Sequence, residues 1–209
     1  MPLDLWLAFV AATTVLLLIP GPTVLLVLSY AISQGRRVAV ASALGVALGD
    51  LIAMSASLFG LGVLVATSAA LFGLLKWVGA IYLVWLGVKM LRAADSSGLS
   101  PLAPHAPISP RAIFGHTATV TALNPKSIGF FIAFVPQFIQ PESALAPQFA
   151  LMIATFVTLG GLNALAYALL ADRLRNRISR PNVITWLTRS GGITLIAMGF
   201  ITATLRRST

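Results

Sequence analysis

Apolar residues fall into six long stretches, at roughly 5–31, 38–65, 69–91, 111–136, 145–171 and 185–205. Each is long enough to cross a hydrocarbon core of about 30 Å as a helix. The separators are polar or helix-breaking. They are Ser33-Gln34-Gly35-Arg36-Arg37, a short Thr67-Ser68 step, the linker 93–110 with Pro101, Pro104, Pro107 and Pro110, the loop Gln137–Pro147, and Arg173–Arg180. The pattern predicts an all-α membrane protein with six transmembrane helices. It divides into a three-helix half over residues 1–92, a cytoplasmic linker over 93–110 and a second three-helix half over 111–209.

The first stretch, Trp6 to Tyr30, is interrupted by Pro20-Gly21-Pro22. Proline removes a backbone donor and crowds the carbonyl one turn earlier, and the glycine between lets the chain bend. Backbone left unpaired at bilayer depth is tolerated only against protein or a wet cavity. Carriers place solute and ion sites at such breaks. A proline kink without a ligand is the competing reading. Asn124-Pro125-Lys126 interrupts the fourth stretch in the same way. The N-terminus has no basic n-region and carries Asp4, so the first stretch reads as a retained helix, not a signal peptide.

Composition agrees with the pattern. Of 209 residues 58% are hydrophobic and 9% charged, against roughly 25% charged in soluble domains. Without cysteine there is no disulfide, thiolate metal site or cysteine nucleophile. The net charge of +9 is explained by its placement. With six crossings, Arg36, Arg37, Lys89, Arg92, Arg111, Arg173, Arg175, Arg177, Arg180 and Arg189 fall on one side. Only Arg206 and Arg207 share the other with Asp4 and Glu142. This positive-inside asymmetry puts both termini outside, and anionic lipid headgroups account for the surplus charge. Nucleic-acid binding would need a basic soluble face.

Asp50 and Asn163 occupy matching places in the second and fifth stretches. Lys76-Trp77-Val78-Gly79 and Arg189-Ser190-Gly191-Gly192 open the third and sixth at the same offset. Three helices per half is an odd number, so a repeat of the halves would be inverted, as in alternating-access carriers.

Asp50 is the one acid inside an apolar stretch. A charged Asp at mid-helix costs about 2.5–3.5 kcal/mol on insertion scales, which makes it a functional candidate. Ala43, Ala47, Ala53 and Ser57 share its face and leave room for water, a proton or a solute amine. Lys126 lies about 22 Å beyond Arg111 along a helix, deep enough to pair, snorkel or neutralise. The expectation is that Asp50 and Lys126 face one cavity and pair in the empty state. A zwitterion would then separate them, the carboxylate meeting its amine and the ammonium its carboxylate. Asn163 and Tyr167 share a face of the fifth helix and either line a polar path or bond across helices. Gly45 and Gly49 form a small-residue stripe suited to close helix packing. Trp6, Trp85 and Trp186 fit interface anchors, and His116 a hydrogen-bonded structural role.

An enzyme is not indicated. There is no Gly-x-Ser-x-Gly, no pair of acids within the helices and no Gly-rich phosphate loop. No cofactor is called for, and energy would come from an ion gradient with Asp50 as the candidate carboxylate.

Pro20-Gly21-Pro22, Gly45-x-x-x-Gly49-Asp50, Lys76-Trp77-Val78-Gly79-Ala80-x-Tyr82-Leu83-x-x-x-Gly87 and Asn124-Pro125-Lys126, in this order, resemble the LysE/RhtB family of amino-acid exporters. The resemblance runs the whole length. It implies a bacterial inner-membrane carrier that expels amino acids or their derivatives, with proton antiport the usual supposition. Homoserine, homoserine lactone, threonine, leucine and lysine are among the substrate types it implies. A single membrane acid argues against a dibasic substrate and leaves neutral, homoserine- or threonine-like solutes. The expected partners are the solute, protons and the bilayer, and self-association into a homo-oligomer stays open. Two other readings compete. Efflux of a metal cation or other small metabolite would want more ligands than Asp50 and Asn163. A non-transporting scaffold would not need Asp50 and two interrupted helices at matching depth.

Overall fold

The computed structural model describes residues 1–19, 21–34, 38–67, 69–93, 108–178 and 181–204. Eight α-helices and one 3-10 turn, with no strand, make up the secondary structure of these described residues. They are α1 (Leu3–Leu18), α2 (Pro22–Gln34), α3 (Ala39–Thr67), α4 (Ala69–Ala93), α5 (Pro110–Ala122), α6 (Pro125–Ala133), the 3-10 turn Val135–Phe138, α7 (Leu145–Ile178) and α8 (Pro181–Thr204). Most of the linker 93–110 and the basic residues Arg36, Arg37, Arg180, Arg206 and Arg207 lie outside the described residues.

Two of the six apolar stretches are each split into two helices. The first becomes α1 and α2, whose axes differ by 56°. The fourth becomes α5 and α6. Proline is tolerated at the first position of a helix, where its missing N–H has no intrahelical partner to lose. Pro22 opens α2 and Pro125 opens α6 in that position. The breaks are therefore helix ends, not kinks within continuous helices. Asn124 caps the second one, its side chain accepting from Lys126 N at 3.0 Å. Ser109 likewise caps α5, accepting from Ala112 N at 3.3 Å.

Splitting affects the count of spans. Among the described residues, Ala39–Gly60 and Leu145–Ala171 are long and apolar enough to cross a bilayer alone, and α1 with α2 do so together. Trp77–Lys89 is a shorter apolar segment of α4. The described residues therefore give two spans, or three with the broken pair, where the sequence pattern predicts six.

Helix directions follow from which residues meet. Gly45 lies against Phe114 and Thr117, and Gly49 against Ala118 and Thr121, so α3 and α5 run parallel. Gly160 faces Asp50 and Gly161 faces Ala47, so α3 and α7 are antiparallel. Gly87 meets Gly192 while Gly199 meets Ala80 and Val84, so α4 and α8 are antiparallel too. A Cβ at Gly87 would fall 2.5 Å from Gly192 O, and one at Gly192 would fall 2.7 Å from Gly87 O. Such close backbone approach is how helices associate where apolar burial drives nothing.

Two apolar clusters fill the interior. One is built around Phe9, Phe130, Phe131 and Phe156. The other runs through Val24, Val27, Val46 and Ala164. The first helix break lies between them, with Leu16 in one cluster and Val24 in the other.

Candidate functional site

A helix end leaves its last carbonyls without intrahelical partners. At bilayer depth water cannot take them, so side chains must. At the end of α1, four consecutive carbonyls are each met. Lys126 Nζ donates to Leu16 O at 3.0 Å and to Ile19 O at 2.7 Å. Asn163 Nδ2 donates to Leu17 O at 3.0 Å, and the Tyr167 hydroxyl to Leu18 O at 3.1 Å. The donors come from α6 and α7, so the end of α1 is held by the second half of the chain.

The two breaks are also tied to each other. Asn124 Nδ2 donates to Thr23 Oγ1 at 2.9 Å, and Thr121 Oγ1 donates to the same oxygen at 3.4 Å. Thr23 is the second residue of α2, and Asn124 is the cap of α6. The starts of both half-helices, with their partial positive ends, therefore face one small space.

Asp50 lies on α3 beside that space and is 2% exposed. Among the described residues its buried Oδ2 has no hydrogen-bond partner. A partnerless carboxylate oxygen in a protein interior is expensive unless something transient completes it. Room for it comes from Gly160, where any Cβ would collide with Oδ2. Asp50, Lys126, Asn124, Gly21 and Asn163 line one cavity of about 30 Å³, together with Thr23, Thr121, Ser127 and Gly160. One water needs roughly 10–15 Å³ in this measure. The cavity therefore admits about two waters, and an amino acid enters only if it widens.

Asp50 and Lys126 share the cavity, but the expected pairing between them takes another form. The hydrogen bonds of Nζ go to the α1 carbonyls, not to the carboxylate. The reason is local: a helix end in oil demands donors, and Lys126 supplies two. Tyr167 stands one carbonyl away, on Leu18 O. Pro22 and Pro125 have exposed side chains, and Pro125 O accepts from the Tyr82 hydroxyl at 3.3 Å. Pro20 lies outside the described residues. Gly45 and Gly49 face α5 and do not themselves line the cavity, although Gly49 packs against Thr121, which does.

Other residues named from the sequence serve the frame. His116 Nδ1 meets the Tyr30 hydroxyl at 2.5 Å, joining α2 to α5. Trp6 Nε1 donates to Thr155 Oγ1 at 3.1 Å. Trp85 and Trp186 are exposed, and Lys89 Nζ stands 5.2 Å from the Trp85 ring centre. Sequence reasoning missed Thr23 and Thr121. Their signal was a hydroxyl directly after one break and another just before the second. Nor does the sequence single out Gly160 as the seat of the Asp50 carboxylate.

An all-helical membrane protein whose broken helices meet at a buried acid and base is the class these observations define. The LysE type translocator family profile matches residues 14–205, and the chain belongs to that family. A homoserine/homoserine lactone efflux protein of Salmonella typhimurium is 34% identical over 208 residues, covering 100% of both chains. A leucine efflux protein of Klebsiella pneumoniae is 35% identical over 150 residues, 71% of this chain and 69% of its own. An uncharacterized membrane protein of Vibrio cholerae is 33% identical over 206 residues, 99% of this chain and 100% of its own. No solved structure matches the chain significantly.

Proposed function

We propose that the protein exports neutral amino acids or their derivatives, homoserine- or threonine-like solutes foremost, across the bacterial inner membrane by proton antiport. The observation that carries this reading is the buried Asp50 Oδ2, without a partner among the described residues, in a cavity that both helix breaks line. Asp50 and the α1 carbonyls form a pole suited to an ammonium. The starts of α2 and α6, with Thr23 and Asn124, form a pole suited to a carboxylate. A zwitterion bridging them would match both at once.

Asp50 is then the group that carries the proton when no solute is bound. Its Oδ2 accepts either a proton or a solute ammonium, and exclusion of one by the other is the minimal device for exchange. A relative's name gives homoserine and its lactone as cargo, and another gives leucine. Both kinds present an ammonium to such a site, and neither needs a second acid.

The helix directions support six crossings in two inverted halves with both termini on one side, and the placement of the basic residues along the sequence is the reason to put that side outside. Trp6 meets Thr155, Leu17 meets Asn163 and Leu18 meets Tyr167, so α1 runs parallel to α7. Lys126 meets Leu16 and Ile19 while His116 meets Tyr30, so the first broken pair runs antiparallel to the second. With α3 parallel to α5 and α4 antiparallel to α8, each direction is that of a chain crossing back and forth six times. The matching of the two breaks is what an inverted repeat requires.

Proteoliposomes loaded with a panel of labelled amino acids test the reading. Acidifying the outside should speed efflux of homoserine and threonine over that of lysine and arginine. Efflux of no amino acid under any gradient would refute it.

A further inference from the structure

One of the side chains that line the small cavity is that of Lys126. The Lys126 chain crosses the space, its Cε and Nζ 3.4 Å from where a Cβ on Gly21 would stand. Its ammonium rests on two carbonyls of a helix C-terminal end, within the cavity that Asp50 lines. An ammonium on backbone carbonyls beside a carboxylate is also the arrangement a free amino acid's amine would seek. Lys126 is 6% exposed and Asp50 2%, so both belong to a built interior site.

We propose that the Lys126 ammonium is a tethered surrogate for the solute's ammonium: it occupies the amine subsite in the empty carrier, and cargo displaces it. This rests on the transport reading above and adds the amine subsite, its occupant and its ligand class, a primary ammonium. Three consequences follow from the geometry. The empty carrier keeps the end of α1 satisfied, so it can change face without leaving carbonyls bare. Solutes without a primary ammonium cannot release Lys126. A solute's carboxylate is dispensable for this step, since the displaced group is a cation.

The test uses the full-length protein in detergent, with no gradient. Replacing Lys126 by Ala removes the equivalent of n-propylammonium beyond Cβ. Thermal unfolding of K126A is followed with n-propylammonium, tetramethylammonium or sodium chloride at equal ionic strength. n-Propylammonium should raise the Tm of K126A by about 3–5 °C at tenfold excess over its Kd. The wild type, in which the probe must first displace the tethered ammonium, should respond less than K126A, and the D50N/K126A double variant should not respond. Tetramethylammonium, which has no N–H to offer the carbonyls, should do nothing. No response of K126A to n-propylammonium, or an equal response to tetramethylammonium or in the double variant, overturns the proposal. If K126A does not purify, yield is the readout. n-Propylammonium in the solubilisation buffer should restore a monodisperse peak, and recovery with no cation overturns the proposal equally. Failure here with amino-acid efflux intact removes only the surrogate. Binding here without efflux of any amino acid removes the transport reading instead.

Discussion

Asp50 Oδ2 sits against the bare face of Gly160, so closely that a single methyl on α7 would occupy its place. The next glycine is different: a Cβ at Gly161 would meet the Ala47 Cβ at 3.5 Å, an ordinary contact. Gly160→Ala should therefore push the carboxylate out of the cavity and reduce efflux by at least about tenfold, equivalent to ~1.4 kcal/mol. Gly161→Ala should stay within about twofold, under ~0.5 kcal/mol. Efflux assays on the two variants, normalised to membrane content, check the contrast.

Lys126→Met keeps the bulk of the side chain and removes both donors to Leu16 O and Ile19 O. Each carbonyl left bare in the interior costs about 1–3 kcal/mol. The variant should still insert in the membrane, unfold at lower temperature in detergent, and transport nothing. Unaltered efflux in K126M would end the role given to this residue.

Thr23 joins the two breaks through Asn124 Nδ2. Thr23→Val strands that amide donor, whereas Thr23→Ser keeps the oxygen. Loss of one such buried bond costs about 1–3 kcal/mol. T23V should lower both thermal stability and efflux, and T23S should restore most of each. Equal behaviour of the two variants would show that the hydroxyl does not couple the breaks.

Close packing of α3 on α5 reaches the edge of the site, since a Cβ at Gly49 would also lie 2.6 Å from Thr121 Cβ. A Cβ at Gly49 would lie 2.6 Å from Ala118 O and 2.9 Å from Ala122 N, where backbone cannot yield cheaply. Among the described residues nothing lies within 4 Å of such a Cβ at Gly60. Gly49→Ala should destabilise by about 1–3 kcal/mol through overpacking, and Gly60→Ala should be neutral or slightly stabilising. Unfolding midpoints of the two variants decide.

The breaks and the two buried charges were legible in the sequence because proline, Asp50 and Lys126 stand out against an apolar background. What they do to each other was less so. Pro22 and Pro125 read as breakers inside long helices. They are first residues of new helices, and a proline looks the same in both settings until the cap before it is known. Lys126 was matched to Asp50 because sequence shows charged side chains but not carbonyls. The acceptors it meets are the backbone carbonyls of Leu16 and Ile19, left open by the end of α1. Gly160 and Thr23 are small, common residues whose importance lies in what touches them. Helix α7 continues to Ile178, past the apolar stretch that ends near 171. Hydropathy marks where lipid ends, and a charged helix can continue into water.

Exchange of a proton for an ammonium at Asp50 is tested most directly by one comparison in proteoliposomes loaded with labelled homoserine. With wild-type protein, an acid exterior should accelerate efflux over that at equal pH. With Asp50→Asn, which keeps the shape and removes the titrating group, the two rates should become equal. A D50N protein whose efflux still rises with the gradient would contradict the account.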